Sequence, residues 1–168
     1  MQLDEEARKI FKDIDADRKQ AKHFLLYFNE EWKKYKQERT AYISFNGRHN
    51  ELESHNPTER IAVRGADFDR NSEKFRWLRA VRILERGMLE NEQAFLRARR
   101  AAAKIKGRNF HSGRPGWVIY TQQKYYDAME KKTCNGNYWL SEQQIKRWWK
   151  KIVSRTADIA VRLRNDEP

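Results

Sequence analysis

Apolar side chains recur every three or four positions through much of the chain, the spacing that lines one face of an α-helix. Leu3, Ala7, Ile10 and Ile14 open the series, and Ala21, Phe24, Leu25, Phe28, Trp32 and Tyr35 continue it. Mixed charges fill the gaps, in runs such as EEARK and EEWKK that suit i,i+4 pairing on an exposed face. Residues 3–42 are therefore expected to form one long helix or two stacked ones. The next stretch, SFNGRHNELESHNPT at 44–58, is polar and carries Gly47 and Pro57, which makes it a linker. A short helix is expected from Thr58 to about Ala66.

A second long helix is expected over 72–104, with Ser72 as its N-cap. Trp77, Val81, Leu84, Met88 and Phe95 form one stripe, extended by Ala98 and Ala102, while Leu78, Leu89 and Leu96 form another roughly 100° away. So broad a face belongs to a central helix packed by two neighbours. The stretch RARRAAAKIKGR ends it at Gly107, as Gly ends many helices. GRNFHSGRPG at 107–116 reads as a loop, and Pro115 can open a helix over about Gly116–Lys132 with Trp117, Tyr120 and Met129 as core contacts. CNGN at 134–137 reads as a turn. Ser141 followed by Gln144 is a capping box, and the helix it starts should run to about Arg164.

These elements define an all-α fold: an elongated helical protein with a long N-terminal helix and a C-terminal helix-turn-helix. Residues 1–43 form an N-terminal packing or oligomerisation region, and 44–58 a linker. Residues 59–168 are expected to form a helical domain with the helix-turn-helix at about 116–164.

Composition fits that reading and adds a direction. Of 168 residues 36% are charged and 39% hydrophobic, and only 7 Gly and 3 Pro interrupt the chain. The net charge of +12 is unevenly placed. Residues 1–60 are neutral, 61–92 carry +1, and 93–168 carry +11. No acid lies between Gln93 and Tyr126, against Arg97, Arg99, Arg100, Lys104, Lys106, Arg108, Arg114 and Lys124. A localised field of this kind favours a polyanion. The single cysteine, Cys134, excludes an internal disulfide. The N-terminal residues have neither the basic nor the apolar part of a signal peptide, and no apolar run reaches membrane-spanning length, so a soluble cytoplasmic protein with no membrane partner is expected. His49 and His55 stand near Glu51 and Glu53, but no pair of ligands has zinc spacing. No metal or other cofactor is expected.

The last helix carries the candidate chemistry. With Ile145 as reference, Trp149, Ile152, Thr156, Ile159, Ala160 and Leu163 fall within roughly 60° and form the face to be buried. Gln143, Arg147, Lys150, Lys151 and Ser154 fall opposite, with Gln144 and Lys146 flanking. An apolar back, a basic front and Gln and Arg in the first turns are what a major-groove recognition helix needs. Gln143, Gln144 and Arg147 are the candidate base contacts, since Arg pairs bidentately with guanine and Gln with adenine. Lys146, Lys150, Lys151 and Arg155 are candidate phosphate contacts, together with Arg97, Arg99, Arg100, Lys104, Lys106, Arg108 and Arg114.

With these residues in view, the chain resembles the RinA/ArpU-type phage transcriptional regulators. The resemblance spans roughly residues 54–164, through SHNPTERIAV, ENEQAF and YYDAM. It is specific over LSEQQIKRWWKKIVSRTADIAVRL, with Arg147, Lys151 to Arg155, Ala157 and Ala160. It implies a helix-turn-helix similar to sigma-factor region 4, activation of phage late genes, double-stranded DNA as partner, and RNA polymerase as a second candidate partner. The neutral N-terminal helix is the candidate surface for homo-oligomerisation. Two other readings compete: a small-terminase-like DNA-packaging adaptor, and an inhibitor or accessory protein that binds a nucleoprotein complex through its basic surface. No nucleophile elbow, Walker motif, zinc signature or carboxylate nuclease cluster is present, so an enzyme is not expected.

Overall fold

A computed structural model describes residues 2–46, 56–105, 116–132 and 138–166. Among these the fold is all-α, with seven helices and no strand. They are α1 (Gln2–Leu26), α2 (Phe28–Asn46), α3 (Pro57–Asn71), α4 (Glu73–Arg86), α5 (Glu90–Ala103), α6 (Gly116–Glu130) and α7 (Glu142–Asn165).

The N-terminal periodicity resolves into two helices that meet at Tyr27. The turn stays hydrogen-bonded there, Tyr27 N–H to the His23 carbonyl and Glu31 N–H to the Tyr27 carbonyl, both at 2.9 Å. Only the second half of α1 is packed. Ala21, Phe24 and Leu25 are buried, whereas Ile10 and Ile14 of the same stripe are 58% and 40% exposed. Beyond the 44–58 region, of which 47–55 lie outside the described residues, Asn56 caps α3 by accepting from Thr58 N–H at 3.1 Å. Helix α3 then runs to Asn71, five residues past the expected end.

The expected long helix over 72–104 is two helices. Ser72 does cap α4, its Oγ accepting from Phe75 N–H at 3.2 Å. Gly87 then closes it, its N–H reaching the carbonyls of Ile83 and Leu84. Leu89 takes an extended conformation (φ −68°, ψ 160°), and Glu92 accepts from Leu89 N–H at 3.1 Å to start α5. The two apolar stripes of the sequence thus serve two helices that both face the core. Helix α5 ends at Ala103 with Lys104 as cap; Gly107 lies outside the described residues.

One core joins the two ends of the chain. Ala21, Phe24, Leu25 and Tyr35 from the N-terminal helices share it with Trp77, Leu78, Val81, Phe95, Leu96, Ile145 and Ile152. Trp77 is central, 1% exposed and stacked on Phe24 with ring centroids 6.0 Å apart. Burying these aromatics removes large apolar areas from water and offsets a low apolar content. Helix α5 packs mainly on α6, while α7 lies against α4 and α1 as well as α6.

Candidate nucleic-acid interface

The start of α7 is fixed by local chemistry. Ser141 Oγ accepts from Gln144 N–H at 3.2 Å, and Gln144 Oε1 accepts from Ser141 N–H at 2.7 Å, which is the capping box expected from the sequence. Ile145, Trp149, Ile152, Thr156 and Ala160 are buried as expected, with Ile159 and Leu163 half-buried against the same core. Val153 and Ala157 are buried too, so the hidden arc is wider than the spacing alone requires. Helix α7 is packed by α4, α1 and α6 together, which widens the covered arc.

The outward ridge of α7 carries Gln143, Arg147, Lys150 and Lys151, all exposed. None of the three cations is held in an ion pair among the described residues. Gln144 is exposed, but its carboxamide oxygen is committed to the cap, so it lacks the free acceptor needed for bidentate adenine contact. Asp158 is exposed on the same ridge, which confines the purely basic face to the first turns.

The other expected phosphate contacts divide. Arg99 is 9% exposed; its guanidinium lies 4.3 Å from the Trp117 ring centroid and 4.9 Å from that of Trp149. Burial pushes its pKa down to about 10. Arg100 donates its Nε–H to the Leu25 carbonyl and pairs with Glu85 at 2.6 Å. Lys104 pairs with Glu30 at 3.5 Å, Arg155 with Glu92 at 3.4 Å, and Lys146 with Glu142 one turn earlier. Arg99 and Arg100 are thus withdrawn from the surface, Arg99 to cover indole faces and Arg100 to join helices. Arg97 is exposed in a groove between α4 and α5 lined by Arg82, Glu85 and Arg86, away from the α7 ridge. Lys106, Arg108 and Arg114 lie outside the described residues.

The fold adds cations that segment charge could not reveal. Lys19 and Lys22 of α1 face Lys146 and Lys150 of α7 across a cleft of about 400 Å³, with Trp117, Trp149 and Val153 in its lining. They belong to the neutral N-terminal third, where acids of the same segment cancel their charge in the sequence count, although Asp15 is the one acid that lines the cleft.

The expected partner helix is in place but less closely joined than in a short helix-turn-helix. Helix α6 ends at Glu130 and α7 begins at Glu142, with 11 residues between them, of which 133–137 lie outside the described residues. Gln122 of α6 donates to the Leu140 carbonyl at 2.5 Å and anchors the end of that connection. Tyr138 packs against the core, while Trp139 is 50% exposed and meets Tyr126 edge-on.

Neither a protein-family model, nor a curated protein, nor a solved structure matches the chain. No described helix is long and apolar enough to cross a membrane, and no cluster of metal-ligating side chains occurs among the described residues.

Proposed function

We propose that the chain binds double-stranded DNA, with the first turns of α7 in the major groove, and acts as a transcriptional regulator of the RinA/ArpU type. The observation that carries this reading is the outward ridge of Gln143, Arg147, Lys150 and Lys151 on a capped helix whose opposite face is buried. A helix held so firmly presents its side chains on a backbone that needs no further ordering, and its cations are free to replace counterions along a phosphate backbone. Gln143 and Arg147 read bases in this proposal. Lys150 and Lys151 contact phosphate, joined from α1 by Lys19 and Lys22. RNA polymerase is the second partner that the family resemblance suggests.

The test is selection of genomic duplex fragments by the purified protein, followed by salt titration on enriched and random duplexes. Enrichment of a common sequence, with weaker binding to random duplex, is expected. Equal retention of all sequences, or tighter binding to RNA than to any duplex, overturns it.

One observation favours a second reading. The first half of α1 is exposed, with Ile10, Phe11 and Ile14 on its surface at 58%, 68% and 40%. An oligomer formed through that helix suits a DNA-packaging adaptor of the small-terminase kind. Light scattering separates the two: a ring of many copies supports the adaptor, a monomer or dimer the regulator.

A further inference from the structure

The cleft between α1, α6 and α7 shares Lys19, Lys22 and Lys150 with the proposed duplex surface but adds two indoles that a duplex backbone does not engage. Its rim is cationic, with Arg18, Lys19 and Lys22 on one side and Lys146 and Lys150 on the other; Asp15 is the one acid among its lining residues. Arg18 is paired with that Asp15 at 3.8 Å and Lys146 with Glu142, whereas Lys19, Lys22 and Lys150 have no ion-pair partner among the described residues. Its apolar lining is Trp117, Trp149 and Val153.

Beside the two indoles lies the second observation. The Arg99 guanidinium sits against both rings, at 4.3 and 4.9 Å from their centroids. It is nine-tenths buried, its Nε has no hydrogen-bond partner, and no carboxylate pairs with it among the described residues. A buried cation is ordinarily matched by an acid, because desolvation costs several kcal/mol otherwise. Here the indole faces supply only part of that compensation. The two indoles that line the cleft thus also hold a buried cation with no carboxylate partner among the described residues, and the rim carries three more cations without ion pairs among them. A positive potential concentrated in this way favours an anion.

We propose that this cleft binds an unpaired nucleotide, its phosphate on Lys19, Lys22 and Lys150 and its base against the exposed part of Trp117. The apolar aromatic lining calls for a flat apolar group, and the rim for a phosphate; a nucleotide joins both, as in sites that take single-stranded nucleic acid. A volume of about 400 Å³ is that of a small-ligand site and excludes a duplex. The inference does not depend on α7 reading duplex DNA, since Lys19, Lys22 and Trp117 lie off its outward ridge. The nucleotide can be free or part of a single strand.

The experiment is tryptophan-fluorescence titration of the full chain with thymidine monophosphate, a short oligo-thymidine, an abasic strand of equal length, inorganic phosphate, and phosphatidylserine vesicles. Oligo-thymidine is expected to change the emission and to bind about tenfold more tightly than the abasic strand. The Lys19→Ala/Lys22→Ala variant, altered only at exposed positions, is expected to weaken oligo-thymidine about tenfold at low salt. Trp117→Leu should abolish the spectral change. Arg147→Ala should leave single-strand binding unaltered, so that failure of the duplex reading and failure of this one are separable. Monophosphate binding as tight as the strand identifies a free nucleotide, and tighter strand binding a nucleic acid; both support the site. Equal affinity for abasic and thymidine strands, wild-type affinity in the double lysine variant, or binding to vesicles alone overturns it.

Discussion

Arg100 of α5 donates its Nε–H to the carbonyl oxygen of Leu25 at 2.7 Å, across 75 residues of sequence. Leu25 stands two residues before Tyr27, where α1 gives way to α2. The same guanidinium pairs with Glu85 of α4 and lies over the Phe28 ring. One side chain thus joins its own helix to three others at the point where the N-terminal half turns.

That arrangement predicts the opposite of a phosphate contact. Arg100→Ala should destabilise the fold by about 1.5–3 kcal/mol, the range for a hydrogen bond to a charged group, and should leave the salt slope of duplex binding unchanged. Denaturant unfolding and a salt titration check the two halves. Full stability with a reduced slope would return Arg100 to the interface.

Trp149 and Trp139 give a contrast within one region. Trp149 is 7% exposed and covers one face of Arg99, whereas Trp139 is 50% exposed and meets Tyr126 edge-on. Trp149→Ala should cost about 3–5 kcal/mol, and Trp139→Ala less than about 1 kcal/mol. Thermal melts of the two variants decide it, and equal losses would mean that α7 does not pack on its Trp149 face.

Glu31 gives acid sensitivity a named source. It is 6% exposed, accepts from Lys34 at 2.9 Å and lies 3.3 Å from His23. Burial alone would raise its pKa, but the hydrogen bonds from Lys34 and His23 outweigh it and hold the carboxyl below its ordinary 4.5. The unfolded chain therefore binds the proton first as pH falls. The stabilisation from Glu31 is complete above about pH 4.5 and is lost as pH drops through the lower folded value. Between about pH 5 and about pH 3 the wild-type melting temperature should fall more steeply than that of Glu31→Gln. Parallel slopes would show that the carboxyl is not held down.

What could be read from the sequence was what local chemistry decides. Ser72 and the Ser141–Gln144 box mark helix starts by side chains a few residues away, and both are in place. The centre of α7's apolar face follows from spacing, although Val153 and Ala157 widen it. The break at Gly87 was hidden because Trp77, Val81, Leu84, Met88 and Phe95 keep helical spacing across it, both helices facing one core. The basic set was misjudged for a different reason. A count along the chain cannot tell that Arg100 finds Glu85, Lys104 finds Glu30 and Arg155 finds Glu92. The same blindness hid Lys19 and Lys22, neutralised on paper by acids of their own segment yet placed by the fold beside Lys146 and Lys150.

Arg147 and Lys151 separate reading of bases from binding of phosphate. Arg147 lies on the outward ridge near the capped start of α7, free of ion pairs among the described residues. Lys151 is one turn further on, over a notch lined by Leu89, Asn91, Glu92 and Trp148. In a groove-inserted helix the early position meets base edges and the later one the backbone. Arg147→Ala should cost about 1–3 kcal/mol on the selected duplex and little on random duplex, so that specificity falls. Lys151→Ala should weaken both duplexes alike and lower the salt slope by about one unit. Salt titrations of both variants on both duplexes provide the measurement. If Arg147→Ala weakens the two duplexes equally, α7 contributes charge without reading sequence, and the DNA-packaging adaptor and nucleoprotein-binding readings move ahead of the regulator.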